Sequence, residues 1–294
     1  MTLKVVLSPE FIAYRFISNR GNSLSKNYNW LDLLTIVFTQ RTKYIDMRTQ
    51  DFIYKINTRI RRHVLGLFKP WYLKRYSSKS RVGSRGWLCE REHHYGGFVQ
   101  GVKRNKVSQE DPRSSTELSS GGMMGGDRMA QFNHNYAPAY EKALAPLIGK
   151  SNIVVVEVGI LTGIGLAMWS ELFPDGSVFG LDIDLTHAQK NWANLESKGA
   201  FKNKNVILHE FDQYLTDTAN IKKITQGQSI DFFIDDGAHR REPIMNTLAA
   251  AIDNMSPKFS YVVEDNATIY DEIVETYPEL EVRRFGGLTL IQRN

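Results

Sequence analysis

The sequence predicts an α/β protein built on a doubly wound, Rossmann-like, mostly parallel seven-stranded sheet that ends in an antiparallel hairpin. Three observations support this prediction. Apolar runs and helical patterns alternate from residue 153 to 276, a glycine turn follows the first run, and the last two strand patterns flank Gly286-Gly287. Such alternation is typical of a parallel sheet covered on both faces, and a two-glycine turn joins antiparallel strands.

The elements follow one another in a regular order. Strands are predicted at 153–158, 177–182, 205–210, 230–235 and 259–264. Helices are predicted at 163–173, 185–198, 217–224, 242–254 and 269–276. The closing hairpin pairs Glu281–Phe285 with Leu288–Gln292. Because parallel neighbours need a crossover connection, each helix returns the chain to the same edge of the sheet.

The charge is divided unevenly along the chain. Residues 1–109 hold 21 Lys and Arg against 6 Asp and Glu, whereas residues 110–294 hold 16 against 26. We therefore expect a basic, partly helical N-terminal extension over 1–110, a linker or lid with a leading helix over 111–150, and a catalytic domain over 151–294. The basic arm suits an anionic membrane surface, nucleic acid or an acidic partner, and a solvated surface is the alternative.

Two segments of the first 126 residues have recognisable patterns. Apolar residues recur at helical spacing from Ile53 to Leu67 with cations between them, which predicts an amphipathic basic helix. Its apolar face packs on the catalytic domain or lies on a membrane surface. Residues 77–126 are rich in Ser, Gly, Lys and Arg, which is typical of a linker or a loop beside a site.

The composition restricts the cellular setting. Cys89 is the only cysteine, so the chain cannot form an internal disulfide, and no apolar run approaches the roughly 20 residues needed to cross a bilayer. No secretory signal pattern is evident at the amino terminus. We expect a cytoplasmic protein, with attachment to a membrane surface and formation of a homo-oligomer left open.

The run Val154–Gly165 predicts a nucleotide-binding turn, because an apolar strand, an acid, a glycine turn and a helical pattern follow one another. Asp182 ends the next strand, where a carboxylate can accept hydrogen bonds from both hydroxyls of a ribose. Glu157 lies within the turn motif. A carboxylate there would repel a dinucleotide pyrophosphate but suits the cationic methionine end of S-adenosylmethionine. We therefore favour a methyltransferase over a dehydrogenase.

The remaining cofactor candidates lie at the same edge of the sheet. After the third strand come Asp212 and Gln213, which are expected to contact the adenine amino group. Each acid alone could be a helix cap or a solvated loop residue, but acids after three successive strands favour a shared ligand. The predicted cofactor-binding residues are Glu157, Gly159, Gly163, Asp182, Asp212 and Gln213.

Three carboxylates follow the fourth and fifth strands, namely Asp236, Glu264 and Asp265. These strands should be neighbours, and clustered carboxylates repel one another unless a cation lies among them. Oxygen ligands suit a hard divalent ion, magnesium foremost. The alternative is a set of helix caps with one raised pKa. His239 lies three residues beyond Asp236, so it is a candidate general base, and a structural histidine is the alternative.

These motifs resemble the metal-dependent sugar O-methyltransferases of macrolide biosynthesis, of the macrocin and mycinamicin type. Cephalosporin hydroxylase-like proteins are similar over the same region. The resemblance covers roughly residues 120–294. Two positions depart from it: Ala238 stands where the family often has serine, and Ile164 stands where its glycine turn usually continues with small residues. The runs that carry it are Glu157-Val158-Gly159 with Gly163 and Met168-Trp169, Gly180-Leu181-Asp182-Ile183-Asp184, Asp212-Gln213, Ile234-Asp235-Asp236-Gly237-Ala238-His239 and Glu264-Asp265. A preceding segment resembles the entry segment of that family, which helps enclose the cofactor, and its runs are Gly125-Gly126-Asp127-Arg128, His134-Asn135-Tyr136, Tyr140-Glu141 and Leu144-Ala145-Pro146-Leu147.

The resemblance implies a chemistry. It implies that Asp236, Glu264 and Asp265 bind magnesium, that Asp236 and His239 are catalytic with His239 as the base, and that a sugar or glycosylated metabolite accepts a methyl group from S-adenosylmethionine. Three other functions stay open. They are an RNA 2′-O-methyltransferase that uses the basic arm, a noncatalytic scaffold with the same fold, and a nicotinamide dehydrogenase. The last is disfavoured because the third glycine of its fingerprint is missing.

Overall fold

The computed structural model of the chain describes residues 80–120, 122–130 and 133–293. The amphipathic helix predicted from Ile53 to Leu67, together with the rest of residues 1–79, lies outside the described residues. The following statements concern the described ranges.

Helices and strands alternate along most of the described chain. The helices are α1 Arg85–Tyr95, α2 Ser115–Ser119, α3 Ala137–Leu144, α4 Ile164–Leu172, α5 Thr186–Ser197, α6 Thr218–Ile224, α7 Arg241–Ile252 and α8 Ile269–Thr276. The strands are β1 Val99–Val102, β2 Met123–Gly125, β3 Val154–Val158, β4 Ser177–Asp182, β5 Val206–Glu210, β6 Ile230–Asp235, β7 Met255–Val263, β8 Glu281–Phe285 and β9 Leu288–Arg293.

The main sheet has seven strands in the order β5-β4-β3-β6-β7-β9-β8. Strands β3 to β7 are parallel, whereas β9 is antiparallel to both β7 and β8. Phe285 pairs with Leu288, so Gly286-Gly287 forms the two-residue turn that the sequence indicates. The predicted fold class is confirmed. A separate antiparallel pair, β1 and β2, lies outside the main sheet.

The central strands are buried on both faces, which explains their continuous apolar sequences. All five residues of β3 are buried, and alternate side chains point to opposite faces. Val155 faces the cluster formed with α1, α3 and α4, whereas Val154 and Val156 face the cluster formed with α6, α7 and α8. The sheet is therefore doubly wound, and its carboxyl edge stays free for a site.

Strand β7 begins earlier than the sequence indicates, at Met255 rather than at residue 259. Met255 pairs with Ile230, and the register shifts before Phe232 pairs with Ser260. Pro257 lies inside this irregular stretch and is exposed. Because proline cannot donate a ladder hydrogen bond, it interrupts the pairing, and the polar stretch around it hides the start of the strand from pattern analysis.

Helix α1 corrects the expectation that residues 77–126 form a linker. Ser84 caps the helix by accepting from the Trp87 backbone N–H, and Trp87, Leu88 and Tyr95 are buried in the same hydrophobic cluster as α3 and α4. The Tyr95 hydroxyl donates to Glu171 Oε2 at 2.6 Å. A helix of the region expected to be an extension is thus part of the domain core.

Among the described residues, no helix is long and apolar enough to cross a membrane.

Candidate functional site

A cavity of about 360 Å³ lies at the carboxyl edge of the parallel strands. Its walls are the glycine turn after β3, the residues that follow β4, β5, β6 and β7, and parts of the segment 104–128. The predicted residues Gly159, Asp182, Asp212, Asp236 and His239 all line it. The sheet therefore brings together side chains that are far apart in the sequence, as the strand-end argument predicts.

The register of the central strands sets the position of Asp236. Val158 pairs with Asp235, and Asp235 pairs with Val263, so the residues that follow lie side by side. The Asp236 backbone N–H donates to the Val158 carbonyl at 2.9 Å. Gly159 has φ +82°, and a Cβ there would lie 2.0 Å from the Asp236 carbonyl oxygen. Only glycine permits this approach of the two turns.

The glycine turn is held by the acid of the next strand. Asp182 Oδ2 accepts from the Leu161 backbone N–H at 3.1 Å, and Oδ1 accepts from the Asp184 N–H at 3.0 Å. Gly163 begins α4 with φ +78°. Burial raises the pKa of Asp182, and these backbone hydrogen bonds oppose the shift. Asp182 thus lines the cavity and also positions the turn.

The two residues after β5 take different positions. Asp212 lines the cavity, and its Oδ1 accepts from the Tyr214 N–H at 3.0 Å. Gln213 is buried, with Nε2 donating to Asp235 Oδ1 at 2.8 Å and to Thr247 Oγ1 at 3.1 Å. Both amide donors of Gln213 are therefore used inside the protein. Gln213 also lines the cavity, so it supports the loop after β6 from within the cavity wall, and its contact with adenine stays a prediction.

Arg128 belongs to the entry segment that the family resemblance indicates, and its buried guanidinium contacts three carboxylates, which the sequence does not predict. Its Nη1 lies 2.7 Å from Glu157 Oε1, its Nη2 2.8 Å from Asp236 Oδ2, and its Nε 3.4 Å from Glu264 Oε1. Trp169 Nε1 donates to the other oxygen of Glu157 at 3.0 Å. Glu157 is buried behind the cavity wall and holds Arg128, which differs from its expected contact with the methionine end of the cofactor.

Glu264, the third predicted metal ligand, lines the cavity with Asp236 and Asp265 and has two further protein partners. Its Oε1 accepts a hydrogen bond from the buried Tyr140 hydroxyl and faces Arg128. Burial raises the pKa of Glu264 well above its ordinary value, although Arg128 opposes this shift. In this arrangement Glu264 has two protein partners that already neutralise its carboxyl group.

Asp236, His239 and Asp265 form a group in which one potential ligand atom from each residue lies within 4.8 Å of the others. His239 Nε2 lies 3.9 Å from Asp236 Oδ1. Burial raises the pKa of Asp236, with Arg128 opposing it. Two carboxylates from separate strands at this spacing fit a hard divalent cation with positions left for other oxygen ligands. The structure thus brings Asp236 and Asp265 together, with His239 beside them.

Asp265 is oriented by two aromatic side chains. Its Oδ1 accepts from the Tyr136 hydroxyl at 2.5 Å and lies 3.1 Å from His134 Nδ1. Burial alone would raise the pKa of Asp265, but the His134 contact outweighs it and holds the pKa well below the ordinary range. The Asp265 carboxylate is therefore charged, as a metal ligand must be.

Comparison with known proteins gives relatives of one kind. The chain is 28% identical over 145 residues to an 8-demethyl-8-alpha-L-rhamnosyl tetracenomycin-C 2'-O-methyltransferase of Streptomyces olivaceus, covering 47% of this chain and 34% of that protein. It is 26% identical over 148 residues to a mycinamicin VI 2''-O-methyltransferase of Micromonospora griseorubida, covering 47% and 33%. The predicted resemblance to sugar O-methyltransferases is confirmed. The chain spans about a third of the length of these curated relatives.

Solved structures and family models add little detail. A MycE methyltransferase from the mycinamycin biosynthetic pathway, in complex with Mg and SAH, matches with a TM-score of 0.44 and 20% identity. That match covers 55% of this chain and 50% of the other. An rRNA methylase from Streptococcus thermophilus matches with a TM-score of 0.37 and 14% identity, over 52% and 92% of the two chains. No family model matches the sequence.

Two residues of this candidate metal-binding group have left-handed backbone conformations. His239 has φ +54° and Asp265 has φ +55°. A non-glycine residue in this region costs on the order of 1–3 kcal/mol and persists where surrounding contacts hold it. Asn266 Nδ2 donates to the His239 carbonyl at 3.2 Å, which ties the loop after β6 to the loop after β7. The distance between the histidine and the carboxylates is therefore fixed by the two loops together.

Arg128 is held in turn by helix α1. Glu92 Oε1 accepts from the Arg128 backbone N–H at 3.0 Å, and Oε2 accepts from the Met129 N–H at 3.0 Å. Burial raises the pKa of Glu92 to about 7, although Arg128 opposes the shift. This contact cannot be predicted from sequence patterns, because the partners of Glu92 are backbone groups 36 and 37 residues away.

The raised pKa of Glu92 predicts a pH effect on stability. Because the folded pKa of about 7 exceeds the ordinary value of 4.5, the folded state holds the extra proton and loses stability as pH rises between these values. The loss is on the order of 3 kcal/mol. In Glu92→Gln, Tm should therefore fall less than in wild type from pH 4.5 to 7.5 in a calorimetric scan. Parallel Tm curves for the two proteins would contradict the prediction.

Proposed function

We propose that the protein is a magnesium-assisted, S-adenosylmethionine-dependent O-methyltransferase that acts on a hydroxyl of a sugar or a glycosylated metabolite. The observation that carries this proposal is that Asp236, His239 and Asp265 meet in the same cavity as the glycine turn and Asp182. A methyl donor and an acid–base group would thus share one enclosed space. The similarity to sugar O-methyltransferases supports the same acceptor class.

The donor would bind along the ends of β3, β4 and β5. Gly159 would leave room for its methionine portion, Asp182 would accept from the ribose hydroxyls, and Asp212 would lie beside the adenine. Gly163 does not line the cavity and would act by shaping the turn before α4, where its φ is +78°. S-adenosylmethionine supplies an activated methyl group, so the protein must mainly align the two reactants in line. Rigid strand ends suit this task better than mobile loops.

The acceptor would bind beside the ends of β6 and β7. Asp236 and Asp265 would hold the divalent cation, with Glu264 as the third ligand that the family resemblance implies. The ion would lower the pKa of the acceptor hydroxyl and fix its direction. Each of these carboxylates also has a protein partner that keeps its oxygens in place. The partners are Arg128 for Asp236, His134 for Asp265 and the Tyr140 hydroxyl for Glu264.

His239 would accept the proton of the acceptor hydroxyl. Its side chain is 39% exposed, so a substrate oxygen can approach the imidazole. Asp236 lies close enough to stabilise the imidazolium that forms when the hydroxyl proton is taken up. The hydroxyl oxygen forms its bond to the methyl group as the bond from sulfur to methyl breaks, and the proton passes to His239.

The segment from 103 to 128 would exclude water from the reactants. Lys106 Nζ pairs with Glu210 Oε2 at 2.7 Å, and Asn105 Nδ2 donates to Asp184 Oδ2 at 3.0 Å. These contacts join the segment to the ends of β4 and β5, over the position of the ribose. Exclusion of water strengthens the electrostatic interactions in the site and prevents hydrolysis of the donor.

Loss of the ribose contact should weaken donor binding. Asp182→Ala removes an acceptor of two charge-assisted hydrogen bonds, so we expect affinity for S-adenosylmethionine to fall by at least about tenfold in calorimetric titration. Asp175→Ala is the matched control, because Asp175 is an exposed acid that precedes the same strand at the opposite edge of the sheet. Equal affinity in wild type and Asp182→Ala would contradict the assignment.

The reaction itself can be tested with a panel of glycosylated metabolites. The protein is incubated with S-adenosylmethionine whose methyl group carries an isotope label, with and without magnesium. We expect transfer of one labelled methyl group to a sugar hydroxyl, detected by mass spectrometry of the product. Failure to bind the donor at all would instead support a noncatalytic scaffold.

Methylation of an RNA ribose is the alternative function, and the excess of 15 positive charges in residues 1–109 is the observation that favours it. A lysine base is commonly used by such enzymes. Among the described cavity-lining residues, the lysine is Lys106, which is paired with Glu210. Labelled methyl transfer to RNA that falls steeply with added salt would support the alternative over the sugar acceptor.

A further inference from the structure

Three carboxylates of the site share one arginine. Arg128, with a side chain only 12% exposed, contacts Glu157, Asp236 and Glu264 within 3.4 Å. A guanidinium is not deprotonated in proteins under ordinary conditions. Arg128 is therefore a permanent positive charge among these carboxylates.

The position of this charge is fixed by the backbone. Glu92 of α1 accepts from the Arg128 N–H, and the Arg128 carbonyl accepts from the Tyr136 N–H at 2.9 Å. Both ends of the residue are thus anchored before its side chain makes any contact. The guanidinium is built into the wall of the site, rather than being an exposed arginine that happens to lie near it.

Arg128 contacts the same carboxylates to which the divalent cation is assigned. Its Nη2 binds Asp236 Oδ2, while Asp236 Oδ1 faces His239. Its Nε faces Glu264 Oε1. A guanidinium and a divalent ion are both attracted to these oxygens, and they repel each other across a few ångströms. Binding of the ion must therefore overcome the contact of Arg128 with at least one carboxylate.

We propose that Arg128 is a resident cation that competes with the divalent ion for Asp236 and Glu264. It is a positioning residue that holds these carboxylates together when the ion is absent and reduces the affinity of the site for the ion when it is present. This inference rests on the proposed metal site. Its consequence is an exchangeable ion, because the protein keeps its own counter-charge for the carboxylates.

The competition can be measured with Mn²⁺ as the probe. In Arg128→Met, an apolar side chain of similar length leaves the carboxylates to the ion alone. We expect the dissociation constant for Mn²⁺, from electron paramagnetic resonance of the free ion, to fall at least about tenfold. We expect Tm without metal to fall, and the rise of Tm on adding Mn²⁺ to exceed that of wild type.

The matched control is Arg113→Met. Arg113 also lines the cavity, but it pairs with Asp111 and has no described contact with Asp236 or Glu264. Its Mn²⁺ affinity should equal that of wild type. Arg128→Lys keeps the charge but cannot contact three carboxylates at once, so its affinity should lie between those of wild type and Arg128→Met.

A double variant is the control for loss of folding. Removal of Arg128 alone leaves Glu157 as a buried, uncompensated charge, so Arg128→Met is also made together with Glu157→Gln. If Arg128→Met and the double variant both bound Mn²⁺ no more tightly than wild type, the proposed competition would be wrong. The proposed metal site would be unaffected by that result. Absence of Mn²⁺ binding in every protein, wild type included, would overturn the metal site and the competition with it.

Discussion

Replacement of Asp236 by alanine should reduce methyl transfer as removal of divalent ions does. Asp236 belongs to the metal-binding group, pairs with Arg128 and lies beside His239, so its loss removes a ligand and a counter-charge together. We expect turnover to fall by about 10²- to 10³-fold or more, the range found when a preorganised electrostatic contact is lost. Turnover of a glycosylated acceptor is measured with magnesium and with excess chelator.

Donor binding should survive both treatments, because the donor contacts are assigned to the ends of β3, β4 and β5. Calorimetric titration with S-adenosylmethionine provides this check. Asp235→Ala is the comparison variant, since Asp235 is buried and bonded to Gln213 and Tyr261. It should lower Tm through loss of these contacts. Full activity of wild type in excess chelator would contradict the role given to the metal.

Removal of the imidazole of His239 should slow the chemical step by roughly 10²- to 10⁴-fold, the usual contribution of a positioned proton acceptor. His239→Ala is compared with His239→Asn, because asparagine tolerates the left-handed backbone conformation of this position. Single-turnover assays measure the rate of methyl transfer. Affinity for S-adenosylmethionine should stay unchanged in both variants.

The histidine control is His94→Ala, which removes an imidazole that bonds to the Lys198 carbonyl and does not line the cavity. Its single-turnover rate should match that of wild type. If His239→Asn transferred methyl groups nearly as fast as wild type, His239 would be a structural residue. The hydroxyl would then be activated without this proton acceptor.

The sheet and the strand-end residues could be predicted because they depend on local patterns. Continuous apolar runs identify the central strands, and the parallel topology places the residues after β6 and β7 next to each other. The observed register agrees, since Asp235 pairs with Val263 and the predicted carboxylates follow. The glycine turn could also be predicted, because Gly159 directly follows the first apolar strand. The structure shows why glycine is needed there, since the residue has φ +82° and lies against the backbone of Asp236.

The interior partners of these residues could not be predicted in the same way. Arg128 lies 108 residues from Asp236, and buried ion pairs have no periodic pattern in the sequence. Helix α1 was hidden by a composition typical of linkers, although Trp87 and Leu88 are core residues. The directions of Glu157 and Glu264 depend on Arg128, which explains why their partners differed from expectation.

The buried amide of Gln213 joins the loop after β5 to the loop after β6. Its donors hold Asp235, and its Oε1 accepts from the backbone N–H of Ala238 at 2.7 Å, directly before His239. Asp212, on the donor side, is the preceding residue in the chain. In the proposed reaction, a displacement of the loop after β5 would therefore reach the backbone directly before His239 through one buried side chain. Donor binding would in this way influence the alignment of the proposed proton acceptor.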